Sequence, residues 1–123
     1  RDSATMRIES SDEDKVELCR GFGGLRDRQW HFDVTLKCRD GTTVQAHRVV
    51  LAASSEALCA LLGSGFIEGS GGPVQIDTPH AALAVLLDYV YGKSIDVAPE
   101  DGVHALQLAH MYGLHGLQDK LVA

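Results

Sequence analysis

The sequence contains no asparagine, and so no acceptor for an N-linked glycan. Its three cysteines, Cys19, Cys38 and Cys59, are odd in number and widely spaced, with no CxxC pair to hold zinc or act as a redox dithiol. That usage predicts a reducing compartment. The longest purely apolar run, residues 81–87, falls far short of the roughly 18 residues a spanning helix needs, so no membrane partner is expected. Lysine and arginine nowhere cluster with aromatics, and a net charge of −6 with a pI near 5.4 offers little to a polyphosphate. Direct nucleic-acid binding is not expected. No signal-like apolar segment follows Arg1, which predicts the cytosol or nucleus, and the lack of an initial Met predicts a piece of a longer protein.

What is present suffices for one core. A chain of 123 residues, 45% hydrophobic and 23% charged, lies in the globular range and should bury about two-thirds of its unfolded surface. Residues 1–14 are polar apart from Met6 and Ile8, and are expected to be a linker or short arm. Residues 15–123 form the expected domain. Leu18, Phe22 and Leu25 fall at i, i+4 and i+7, one stripe of a helix weakened by Gly21, Gly23 and Gly24. Residues 32–38 and 43–46 read as strands joined by an Asp40-Gly41 turn. Residues 47–53 read as a short buried helix. Ser54 or Ser55 then caps a second helix, which Gly63 and Gly65 are expected to end, leaving a loop at 63–73. A third strand is expected over 74–77, then a helix with Pro79 at its first position and Leu83, Leu86, Leu87 and Val90 on one face. Pro99 opens the next helix, with Val103, Leu106 and His110 on one side and Leu108, Ala109 and Tyr112 beside them. After Gly113, Leu114, Leu117 and Leu121 form a last stripe. The order describes a mixed α/β domain with more helix than strand.

Catalytic and metal readings fare poorly. The six histidines include no HxxxH pair beside a cysteine or carboxylate, so no metal and no cofactor is implied. His47 with Ser54 or Ser55 would supply a base and a nucleophile, yet GxSxG is absent and serines before an apolar helix are usually caps. GSGFIEGSGG shares only glycines with a phosphate-binding loop, because GK[ST] is missing and a strand follows. Neither a catalytic residue nor a small-molecule substrate is expected. Phe66, Ile67 and Glu68 put two apolar residues and an acid in a polar segment. Phe66 either anchors a partner or folds back onto its own core. Asp33 and Arg48, each at the edge of an apolar element, are expected to form a structural ion pair.

FDVTLKCRDGTTVQAHRVVLAASSEALCALLGSGFIEG resembles the first half of a BTB/POZ domain, with its D-V-x-L strand, A-H-[KR], V-L-A-A-x-S and downstream apolar-x-E. VQIDTPHAALAVLLDYVYGKSIDVAPEDGVHALQLAHMYGLHGLQDKL resembles the second half. The resemblance implies a three-stranded sheet flanked by five to six helices. It makes His47, Ser54 and Ser55 structural, and matches Asp33 and Arg48 to the charged pocket of dimeric members. It also implies a non-catalytic interaction module that homodimerises through its first helix at Leu18, Phe22 and Leu25. LCRGFGGLRDRQWHFD is most similar to adaptors that also carry a MATH domain, which implies a substrate adaptor for a cullin-3 ubiquitin ligase. In that reading Phe66, Ile67, Glu68 and Tyr91 hold the cullin-3 N-terminal domain. The alternative is the dimerisation domain of a transcriptional regulator recruiting a corepressor. Tyr91-Gly92-Lys93 departs from the family's Y-x-G by one residue.

Overall fold

The computed structural model describes residues 5–67 and 72–122, with the backbone alone at 64–67. Helix α1 runs over Asp12–Arg28, so it starts ahead of the expected domain boundary at residue 15. The cause is a reciprocal cap: the Asp14 N–H donates to Ser11 Oγ at 3.1 Å, and the Ser11 N–H donates to Asp14 Oδ2 at 2.8 Å. Acids in the first turn and Arg26 and Arg28 in the last suit the helix dipole. The helix closes at Gln29, in the left-handed region at φ 60°, with the Trp30 N–H donating to Leu25 O. Residues 5–10 have no regular structure, and Met6 and Ile8 are exposed.

Strands β1 (Val34–Lys37) and β2 (Thr43–Ala46) form the expected antiparallel hairpin, with Val34 opposite Ala46 and Leu36 opposite Val44. At its turn the Thr42 N–H and hydroxyl both donate to Asp40 Oδ1. These bonds hold the Asp40 carboxyl below its ordinary pKa. Strand β3 is shorter than expected, Val74–Gln75, and lies parallel to β1, giving the order β2-β1-β3.

Between β2 and β3 the chain folds into a helical pair, α2 (Arg48–Ser54) and α3 (Glu56–Ile67). Ser55 is the capping serine: its Oγ accepts from the Leu58 N–H at 3.1 Å and donates to Tyr112 O at 2.6 Å. Ser54 instead donates to Val50 O, one turn back in its own helix. The expected stop at Gly63 and Gly65 does not occur, and α3 continues to Ile67. Each helical glycine costs only about 1 kcal/mol, too little by itself to end a helix.

Helix α4 (His80–Val90) follows Pro79, which lies just before the first turn rather than within it. Its buried face is Ala82, Leu83, Val85, Leu86 and Leu87, while Val90 is half-buried. A 3-10 turn at Pro99–Asp101 delays α5 to Gly102–Met111. Of the two stripes the sequence allowed on α5, Leu108 and Ala109 of the second are buried and Tyr112 is half-buried, with Ala105, on neither stripe, buried beside them; Val103 and His110 of the first are exposed. Gly113, at φ 67°, turns the chain into α6 (His115–Val122), where Leu117 is buried.

Leu36, Leu51, Ile76, Leu83, Leu86, Leu87 and Leu117 are the largest fully buried side chains of the core. Each such side chain contributes roughly 1.5–3 kcal/mol by leaving water. Among the described residues no helix is long and apolar enough to cross a membrane.

Candidate functional site

Helix α1 is held to the body mainly by its C-terminal half. Gly23 is its one buried residue, and a Cβ there would lie 3.0 Å from Lys93 Cε and 3.3 Å from Tyr91 O. The glycine lets the helix approach the end of α4 closely. Arg26 pairs with Asp88 at 2.9 Å and lies 5.0 Å over the Tyr91 ring, and Lys93 pairs with Asp27 at 2.6 Å. Ahead of Gly23 the helix presents Val16 and Leu18, 53% and 66% exposed. The predicted stripe therefore divides. Leu18 faces outward, whereas Phe22 packs partly against the core and Leu25 is half-buried. Val16 and Leu18, two residues apart, point to different sides of the helix, and Leu18 alone lies on the predicted stripe.

His47 and Tyr91 are buried together, 4% and 3% exposed. His47 Nε2 lies 2.7 Å from Trp30 O and Nδ1 lies 2.6 Å from the Tyr91 hydroxyl. Because a carbonyl only accepts, the proton sits on Nε2, and Nδ1 accepts from Tyr91. The Tyr91 oxygen in turn accepts from the His47 backbone N–H at 3.0 Å. Burial pushes the Tyr91 phenol above its ordinary pKa. Both ring nitrogens of His47 are thus engaged, and the hydroxyls of Ser54 and Ser55 are turned to carbonyls elsewhere, so no base and nucleophile meet. Tyr91, expected among the residues that hold the cullin-3 N-terminal domain, is buried in this fold and bonded to His47.

Asp33 and Arg48 are brought together, though not through the ion pair expected of them. The Asp33 carboxylate, which is exposed, accepts from the Arg48 backbone N–H at 2.7 Å and so caps the start of α2. The Arg48 guanidinium donates through Nε to Asp33 O at 3.2 Å and through Nη1 to Leu62 O at 3.0 Å. Beside them runs a shallow groove of about 350 Å³, lined also by Val49, Ala52, Cys59 and Leu62. Val49 is 60% exposed. Sequence reasoning missed it, because the run VVLAA reads as uniformly buried. Val16 was missed because it lies off the i, i+4, i+7 stripe.

Phe66 and Ile67 occupy the last turn of α3, while their side chains and the whole of Glu68 lie outside the described residues. Cys19 and Cys59 are exposed and Cys38 is buried, all as free thiols. Among the described residues no three His, Cys, Asp or Glu side chains gather as metal ligands.

The family profile described as BTB/POZ domain matches residues 22–123. The chain belongs to the BTB/POZ domain family. Kelch-like protein 35 of Mus musculus is 39% identical over 92 residues, covering 71% of this chain and 16% of that protein. Kelch-like protein 3 of Homo sapiens is 36% identical over 78 residues, covering 63% and 13%. BTB/POZ domain-containing protein 9 of Drosophila melanogaster is 34% identical over 76 residues, covering 62% and 10%. The chain spans about one-sixth or less of the length of these curated relatives. The solved BTB domain of zebrafish PATZ1 superposes with a TM-score of 0.73 over 94% of both chains at 18% identity, which shows the BTB fold: six helices and a small three-stranded mixed sheet. As a BTB/POZ domain, the molecule is a protein-interaction module of a non-catalytic family.

Proposed function

We propose that this BTB/POZ domain homodimerises through α1 and serves as the cullin-3-binding part of a ubiquitin-ligase substrate adaptor in the cytosol or nucleus. The observation that supports the dimer is the exposure of Leu18, 66% accessible, on the stripe it shares with Phe22 and Leu25 of α1. A second copy would cover Leu18, and Phe22 and Leu25 continue its stripe toward the body.

Kelch-like relatives support the adaptor half of the reading. These relatives are Kelch-like rather than MATH-bearing, so the adaptor reading does not rest on the resemblance of LCRGFGGLRDRQWHFD to MATH-bearing adaptors. In this reading Phe66 supplies an apolar anchor, Ile67 borders it and Glu68 fixes orientation by charge, a division common at interface hot spots. Titrating the cullin-3 N-terminal domain into the wild type and into the double variant Phe66→Ala, Glu68→Ala is the test. Binding by the wild type that the double variant loses supports the site, and equal affinity contradicts it. Pull-down of a corepressor without any cullin would favour the transcriptional-regulator alternative instead.

A further inference from the structure

Arg48 ties Asp33 to Leu62. Its backbone N–H meets the Asp33 carboxylate, its Nε meets Asp33 O, and its Nη1 meets Leu62 O in the C-terminal part of α3. Leu62 O is the carbonyl that the i→i−4 pattern assigns to the N–H of Phe66. The turn between them contains Gly63 and Gly65, both poor helix formers, and α3 carries no basic residue in its own last turn. The guanidinium therefore supplies from outside what this helix end lacks: a cation near the negative end of its dipole and a charge-assisted bond to one of its carbonyls. Asp33 fixes the position of Arg48, so the expected charged pocket and the end of α3 form one connected unit.

We propose that Arg48 is a positioning residue for the C-terminal turn of α3, and that through this turn it sets where the backbone of residues 66–67 is held for the partner. The second clause rests on the cullin-3 reading above; the first does not.

Backbone amide hydrogen exchange on the intact domain tests the first clause. Arg48→Met keeps an unbranched apolar side chain and removes every guanidinium donor. It is expected to speed exchange at residues 63–67 by about tenfold relative to the wild type, with smaller changes in β1 and α4. Adding Gly63→Ala, where a Cβ meets nothing within 4 Å, should slow that turn again. Unchanged exchange at 63–67, or an equal acceleration across β1 and α4, overturns the assignment. Titration with the cullin-3 N-terminal domain tests the second clause: affinity should fall about tenfold in Arg48→Met and recover on adding Gly63→Ala. Equal binding by wild type and Arg48→Met overturns that clause. If the wild type itself does not bind, the cullin reading fails, and the exchange data still decide the role of Arg48.

Discussion

The hydroxyl of Tyr91 sits 2.6 Å from Nδ1 of His47 and 3.0 Å from the backbone N–H of the same residue, so one phenol joins the end of α4 to the start of α2. Through Nε2 the histidine extends the link to Trp30 O, just past α1. Three segments distant in sequence are thus pinned at one buried point, and Arg26 lies over the same tyrosine. The seating of α1 depends on this cluster.

Removing either partner leaves buried polar atoms unsatisfied. His47→Ala is expected to destabilise the domain by about 2–4 kcal/mol, and Tyr91→Phe by about 1–2 kcal/mol. Urea denaturation followed by circular dichroism measures both. A His47→Ala domain as stable as the wild type would contradict the architectural role and reopen a chemical one.

The same burial sets a pH dependence. Burial raises the phenols of Tyr91 and Tyr112 above their ordinary value of 10.0. The unfolded chain ionises at the ordinary value, so the folded state binds protons more tightly than the unfolded state. Their contribution to stability is complete below pH 10.0 and is lost as pH rises through the elevated folded values. Denaturation midpoints should fall across the alkaline range, and the fall should be shallower in Tyr91→Phe than in the wild type. An identical slope in the two proteins would contradict it.

Adjacent glycines in α1 should answer in opposite directions. Gly24 has nothing within 4 Å of a built Cβ, so Gly24→Ala is expected to stabilise by up to about 1 kcal/mol through helix propensity. At Gly23 an added Cβ presses on Tyr91 O, which is backbone, and on Lys93. Gly23→Ala should therefore lower the thermal midpoint. Equal effects at the two sites would show that α1 does not sit as described.

Much of this was legible in the sequence, for local reasons. The hairpin follows from alternation and an Asp-Gly turn, and the cap of α3 from a serine before an apolar run. Ser11 and Asp14 carried a start signal for α1, although the apolar stripe begins later. What the sequence hid is tertiary. Propensity at Gly63 and Gly65 argues for a stop, whereas the tie from Arg48 to Leu62 O is tertiary and leaves no local signal. Opposite charges at Asp33 and Arg48 suggest a side-chain ion pair, while the fold directs the carboxylate to a backbone N–H and the guanidinium to carbonyls. Tyr91 is recognisable by its place in a motif, but its burial depends on how α1 packs across α4.

The central claim is that the exposed half of α1 pairs with its own copy, and solution mass measured by light scattering over a range of concentrations tests it most directly. The wild type should show twice the 13.2 kDa chain mass, and Leu18→Asp should show the single-chain mass with its circular dichroism unchanged. A wild type that stays at the single-chain mass at every concentration, or a Leu18→Asp variant that still doubles it, would contradict the account.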